Sequence, residues 1–330
     1  MKRMIITGTI IGVLLLGISC SKKQENTTPV RIAYFPNITH SQALVMKEQN
    51  SLENKLASNC KVSWYSFNAG PSEVEAMFAG EIDLGYIGPV PAINANVKSK
   101  GDVKIIANAC DNGAVLLKSK NADINSVTDL EGKTVAVPQL GNTQHLCLLN
   151  LLSESGLAAK SDGGTVDVVA VANADIQGML EQGQIDAALV PEPWGSILEE
   201  KCGAQLILDY DELFASGAYP TTVVIVNNDF YKEHKDIVQA FLKVHKETTN
   251  YINSHKDEAI EIVNHQLEET TGKKIETKII NQAFERLSFT EKISEEAIMS
   301  FGEIAMKQGF ISELPASEDI IDSSIIDEMK

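Results

Sequence analysis

The chain has 330 residues, with 45 Asp and Glu against 28 Lys and Arg, and a formal charge of −17. That balance excludes nucleic acid and an anionic membrane surface as electrostatic partners, because both require a cationic face. It constrains a small ligand little, since surface charges more than about 8 Å apart are screened at physiological salt, and the length allows two domains or one large one, each with a core.

Lys2 and Arg3 precede an apolar run from Met4 to Gly17, 14 residues that are too few to span a bilayer and fit the h-region of a secretory signal. The run ends in Leu15-Leu-Gly-Ile-Ser-Cys20. That ending resembles the lipobox of bacterial lipoproteins, which implies a signal peptide over 1–19 and lipidation of Cys20; Gly17 stands where an aliphatic residue is usual. An ordinary signal peptide with a coincidental cysteine would leave the protein exported but unanchored. Removal of 1–19 takes Lys2 and Arg3 with it and moves the charge from −17 to −19. Residues 20–29 read as a polar tether.

Beyond the tether, strand ends repeatedly run into turns and helix starts. Arg31 to Tyr34 is a strand, Pro36-Asn-Ile-Thr-His40 a polar turn, and Ser41 to Met46 begins a helix. Val62 to Phe67 leads through Asn68-Ala-Gly-Pro-Ser72 into a helix whose Val74, Met77 and Phe78 share one face. Pro71 suits its first turn and Gly80 the position past its end. Ile82 to Ile87 is a buried strand that ends in Gly88-Pro-Val-Pro91 and another helix.

Asn121 to Gly132 is a solvated segment. Lys133 to Pro138 is a strand, Gln139-Leu-Gly-Asn-Thr-Gln-His145 the next turn, and Leu146, Leu148, Leu149 and Leu152 form an apolar helix face. The earlier stretch then echoes: Val168 to Val171 as strand, Asn173 as helix start, Gln184 to Val190 as strand and Pro191-Glu-Pro-Trp194 as turn. At an offset of 103, Gly80-Glu-Ile-Asp83 lies over Gly183-Gln-Ile-Asp186, so two similar α/β units are implied. Leu206 to Leu208 and Thr221 to Val226 are further strands; from Asp229 the pattern is helical, and Leu314 to Lys330 reads as loose.

In an open α/β sheet ligands sit beyond the carboxyl ends of the strands, where helix N-termini present unpaired amide donors. The candidate turns add Asn37, Thr39, His40, Gln42, Ser72, Asn142, Thr143, Gln144, Trp194 and Thr221, all hydrogen-bond donors, and neither Lys nor Arg. Neutral donors at helix starts suit a small oxyanion without a proton, such as a sulfonate or nitrate; Glu192 could accept from a protonated one. Glu192 and Trp194 read equally as ligand contacts or local packing.

No nucleophile elbow, Cys-x-x-Cys, His-Glu-x-x-His or Gly-x-Gly-x-x-Gly occurs, and no cofactor is indicated. His40 and His145 lack a close third metal ligand, and His234, His245, His255 and His265 read as surface residues of the helical tail. Cys60, Cys110, Cys147 and Cys202 could pair after export or remain buried thiols.

Tyr34-Phe-Pro-Asn-Ile-Thr-His-Ser-Gln42, Asn68 to Ser72, Ile82 to Pro89, Pro138 to Thr143 and Pro191 to Trp194 together resemble the substrate-binding proteins of ABC importers, in the aliphatic sulfonate, taurine and nitrate group. The resemblance spans Arg31 to about Phe310. It implies a two-lobed α/β fold of the periplasmic-binding-protein type (type II), with an interlobe cleft that closes on a small anion and delivers it to a permease driven by a separate ATPase. It further implies a monomer in the bacterial cell envelope, on the periplasmic or extracellular face, held to the membrane through Cys20. Carried over, Asn37, His40, Gly70, Ser72, Gly88, Asn142, Thr143, Glu192 and Trp194 surround the cleft. Lobe 1 is 30–111 plus 224–330 and lobe 2 is 112–223, with crossings near Cys110 to Gly113 and Pro220 to Val224. Two alternatives stay open: a ligand of the vitamin-precursor type, and an exported enzyme with His40 or His145 as base beside Glu192 or Asp111.

Overall fold

The computed structural model describes residues 27–214 and 219–329. The expected signal peptide, Cys20 and residues 21–26 of the tether lie outside them; Thr28 and Pro29, expected in the tether, open the first strand. Among the described residues, no helix is long and apolar enough to cross a membrane.

The first unit runs β1 (Thr28–Tyr34), α1 (Ser41–Gln49), β2 (Cys60–Ser66), α2 (Gly70–Phe78), β3 (Leu84–Ile87) and α3 (Pro89–Ser99). Two long connections follow as strands, β4 (Val103–Asn112) and β5 (Ala114–Lys118). The second unit runs β6 (Thr134–Val137), α4 (Thr143–Glu154), β7 (Asp167–Ala170), α5 (Asn173–Glu181), β8 (Ala187–Pro191) and α6 (Trp194–Cys202). After β9 (Gln205–Leu208) and β10 (Pro220–Asn227) come the helices α7 (Asn228–Glu233), α8 (Lys235–Ser254), α9 (Lys256–Thr271) and α10 (Thr277–Glu285), then β11 (Leu287–Phe289), α11 (Glu295–Lys307), α12 (Ser317–Ile320) and α13 (Ser324–Glu328).

The strands form two sheets, ordered β11-β4-β10-β3-β1-β2 and β7-β6-β8-β5-β9. In each, three parallel strands carry helical crossovers and an antiparallel strand is added beyond the third. β3 and β8 are buried along their whole length, which is why they read as continuous apolar runs without alternation. Prolines sit in the first turns of α2 and α3, where a missing N–H costs no helical hydrogen bond.

The chain passes from one sheet to the other between β4 and β5, at Gly113. Its φ is +77°, and an added Cβ would stand 2.1 Å from Leu287 Cδ2, so both conformation and space demand glycine. The apolar core is continuous across both sheets on one side, where α11 and Tyr219 pack, and separate elsewhere.

Two expectations fail here. His245 is fully buried: its Nε2–H donates to the Asn108 carbonyl (2.8 Å) and its Nδ1 accepts from the Tyr86 hydroxyl (2.9 Å). It follows Phe241 and Leu242 on the apolar face of α8, and burial lowers its pKa to about 4. The segment from Leu314 is not loose, because Ile320, Ile325 and Ile326 are buried and α13 packs against α8 and β4. All four described cysteines are free thiols, Cys110 and Cys147 buried and Cys60 and Cys202 partly so.

Candidate functional site

The echo seen in the sequence is a structural repeat. Asp83 accepts from Arg31 N–H through Oδ2 and donates its own N–H to Arg31 O; Asp186 does both with Thr134, 103 residues on from Arg31. The registers Ile32 to Leu84 and Val135 to Ala187 match at the same offset. Loops of equal length therefore bring equivalent residues to equivalent strand ends.

Those strand ends converge on a cavity of ≈ 20 Å³. Five pairs at the offset of 103 line it: Phe35 and Pro138, Thr39 and Asn142, His40 and Thr143, Gly70 and Asn173, Gly88 and Pro191. Asn37, Asn68, Gln144 and Thr221 add further amide and hydroxyl groups. His40, Gly70, Gly88, Thr143 and Asn173 stand at the starts of α1 to α5, so five helix N-termini meet there. Helix starts offer backbone donors without a helical acceptor and the positive end of a dipole, although Pro71 of α2 and Pro89 and Pro91 of α3 have no N–H to give.

Among the described residues, no Asp, Glu, Lys or Arg lines the cavity. His40 is neutral, because burial lowers its pKa to about 3. Its Nδ1 accepts from the Phe35 N–H (3.2 Å), which leaves the proton on Nε2 as a donor. Thr143 Oγ1 and Asn173 Oδ1 are buried polar atoms without a hydrogen-bond partner. Asn142 caps α4, its Oδ1 accepting from His145 N–H (2.8 Å) while its amide donates to Gln144 Oε1 (3.1 Å). At Gly88 an added Cβ would stand 2.3 Å from Thr143 Oγ1, so the two units approach this closely only because that residue has no side chain. Neutral donors and helix N-termini gathered at one cavity can bind an oxyanion. The cavity has room for one or two water-sized groups at about 10–15 Å³ each.

Of the nine residues expected around the cleft, Asn37, His40, Gly70, Gly88, Asn142 and Thr143 line this cavity. Three do not. Ser72 lies one step outside, its hydroxyl 3.3 Å from Gln139 Oε1, joining α2 to the turn before α4. Trp194 lines a neighbouring chamber and donates its Nε1–H to Asn37 Oδ1 (2.8 Å). Glu192 is fully buried and engaged elsewhere: it accepts from Ser196 N–H and Oγ, both at 3.0 Å, and from Arg286 Nη1 at 2.7 Å. Burial pushes its pKa up, and the bonds from Arg286 and Ser196 oppose that. Nor does His145 reach the cavity; its Nδ1 accepts from the Gly141 N–H (3.0 Å) and its ring packs on Phe310.

Sequence reasoning missed Arg286 and Asn173. Arg286 follows α10 and bridges to Glu192, Glu199 (2.7 Å) and Asp209 (3.2 Å) of the second unit. Burial alone would lower its pKa, but the carboxylates hold it above the ordinary arginine value. Nothing local in the sequence marks this contact. Asn173 could have been found, because it is Gly70 plus the repeat offset.

Comparison with known proteins agrees with this architecture. The profile described as the NMT1-like family matches residues 23–266. A putative aliphatic sulfonates-binding protein of Escherichia coli is 25 % identical over 262 residues, covering 79 % of this chain and 78 % of its own. The taurine-binding periplasmic protein of the same organism is 29 % identical over 231 residues, covering 70 % and 68 %. Among solved structures, the alkanesulfonate-binding protein SsuA of Xanthomonas axonopodis pv. citri, bound to MOPS, superposes with a TM-score of 0.72 at 22 % identity, covering 88 % of this chain and 96 % of that one. The fold is that of periplasmic binding proteins.

Proposed function

This chain belongs to the NMT1-like family, and from that membership we propose that it is the solute-binding component of an ABC importer, capturing a small oxyanion such as an aliphatic sulfonate, taurine or nitrate. The observation that carries the reading is the uncharged cavity at five helix starts, three from one unit and two from the other. Such a site holds an anion through backbone and neutral side-chain donors and can release it again, because no buried counter-charge must be left behind. On this reading, lobe 1 is 30–111 plus 224–330 and lobe 2 is 112–223. The lobes close about the Gly113 crossing and the start of β10, and the closed form engages a membrane permease served by its own ATPase.

The likeness to a periplasmic taurine-binding protein supports export. The charged start and apolar run of the sequence make residues 1–19 the signal on this reading, and Cys20 after them the lipid anchor. The protein acts as a monomer and leaves its solute chemically unchanged. The test is incubation with ethanesulfonate, taurine and nitrate in turn, followed by thermal unfolding and recovery of the anion. A concentration-dependent rise in melting temperature with intact anion recovered is expected. Conversion of the anion to product, or no rise with any of them, would overturn the reading.

A further inference from the structure

Helix α10 carries two stripes. Ile279, Ile280, Ala283 and Phe284 are buried in the core, whereas Lys278, Gln282 and Arg286 recur every four residues and share another line of the helix. All three meet acids of the second unit. Arg286 holds Glu192, Glu199 and Asp209, Gln282 Nε2 donates to Glu199 Oε2 (3.2 Å), and Lys278 Nζ lies 2.8 Å from both carboxylate oxygens of Glu200. Just before the helix, Glu276 pairs in the reverse sense with Lys201. As the residues of α10 descend from 286 to 276, their partners along α6 climb from 192 to 201, so the two helices are zipped antiparallel. Among the described residues, every ion pair that joins the two lobes as divided above belongs to this zipper. Where α2 meets the turn before α4, the junction is made by neutral bonds instead, Ser72 to Gln139 (3.3 Å) and Asn68 to the Pro138 carbonyl (3.5 Å).

The two ends of the zipper differ. Arg286 precedes Leu287, which fills the space beside Gly113, and Glu192 N–H donates to the Gly113 carbonyl (2.6 Å), so the inner end sits on the crossing between the sheets. Its side chains are buried, Arg286 at 10 % and Glu192 at 0 % exposure, whereas Lys278 at the outer end is 71 % exposed. Rotation about the crossing displaces the outer pairs most. The same helix α6 starts at Trp194, which bonds Asn37 of the cavity, so the element that carries the outer pairs also carries a contact to the site.

We propose that this zipper sets the balance between open and closed lobes: Arg286 is the pivot contact, and the pairs Lys278 with Glu200 and Lys201 with Glu276 part on opening. The outer pairs thereby govern how long a bound anion is retained, although none of their residues lines the anion cavity. This rests on the lobe closure proposed above and names residues that drive it. An exposed pair shifts such an equilibrium by up to about fivefold. It is screened at about 1 M salt, where the Debye length falls to about 3 Å.

The experiment uses two double reversals, Lys201→Glu with Lys278→Glu and Glu200→Lys with Glu276→Lys, and the quadruple variant that carries all four changes. All four positions are exposed, and circular dichroism verifies the fold. Ethanesulfonate dissociation from the mature chain is followed by stopped flow at low salt and at about 1 M salt. At low salt both double reversals should release the anion about fivefold faster or more, the quadruple variant should return to within about twofold of wild type, and high salt should shrink the differences. A long-range effect of net charge would instead move the two double reversals in opposite directions. That outcome, unchanged rates in both, or no recovery in the quadruple variant overturns the zipper and leaves the oxyanion reading standing. No binding of ethanesulfonate to the unsubstituted protein overturns the oxyanion reading, and small-angle scattering of the anion-free proteins at low salt then decides. Both double reversals should be more extended than wild type and the quadruple variant should not; equal radii overturn the zipper as well.

Discussion

The two units share a backbone plan and bury their acids in opposite ways. In the first, Glu73 of α2 is fully buried with neither carboxyl oxygen bonded. Its counterpart 103 residues on, Ile176 of α5, is an ordinary core residue. The sheet residue below changes in step: Gly85 in the first unit, where a Cβ would lie 1.9 Å from Glu73 Oε1, and Ala188 in the second. In the second unit the buried acid is Glu192, bonded to Ser196 and Arg286, where the first has Pro89. One acid has no partner, and burial raises its pKa well above the ordinary glutamate value. The other is bonded to Arg286 and Ser196 where α10 of the C-terminal region meets α6, and those bonds oppose the upward shift that burial causes. The comparison teaches that the repeat fixes where helices start, while residues outside the repeat decide which unit touches which.

The largest expected effect comes from the paired acid. Arg286→Met strands Glu192 in a dry site and should cost about 3–5 kcal/mol, read as the urea midpoint at constant slope. Glu192→Gln combined with Arg286→Met should recover much of that loss, since no buried charge is then left alone. A single variant as stable as the wild type would show that the junction does not depend on this contact.

A smaller effect, of opposite sign, is expected at the unpaired acid. Glu73→Ile makes the first unit resemble the second and should raise stability by about 1–3 kcal/mol, the cost of an unsatisfied buried polar group. Gly85→Ala alone should destabilise, because its methyl would meet Glu73 Oε1, whereas Gly85→Ala with Glu73→Ile recreates the pairing of Ala188 with Ile176. A double-mutant cycle with no coupling would break the analogy between the units.

A third expectation concerns slope. Burial raises the Glu73 pKa well above the ordinary glutamate value, so the folded state keeps a proton that the unfolded chain releases above about pH 4.5. Its contribution is therefore fully present below that pH and is lost as pH rises toward the folded value, at up to ~1.4 kcal/mol per pH unit. Glu73→Gln should remove this slope, so its stability relative to wild type should increase from pH 5 to pH 8. Parallel curves over that interval would place the Glu73 carboxyl in a solvated or bonded site.

Much of the cavity was legible before any coordinates, for a physical reason. Strand-to-helix turns have local signatures, such as Pro71 in a first turn and Asn142 as a cap, and their repetition marked two units of one design. Contacts between segments far apart in sequence have no such signature. Arg286 meets Glu192 across 94 residues, and that bond diverts a carboxylate that the Pro191 to Trp194 turn had offered as a ligand. His245 continues the apolar face of Val238, Phe241 and Leu242, and only its position on that face, not its residue type, marks it as buried. The apolar residues near the C-terminus, Ile320, Ile325 and Ile326, fall on two helices of 4 and 5 residues, too short for a period to show.

On the function proposed above, oxyanion binding rests on donors at helix starts contributed from both units. Its most direct test is calorimetric titration of ethanesulfonate into the wild-type protein and into Asn142→Ala with Thr143→Ala, with circular dichroism to verify the fold. Saturable 1:1 binding to the wild type, lost in the folded double variant, is the predicted result. Unchanged affinity in that variant would remove the start of α4 from the site and contradict the account.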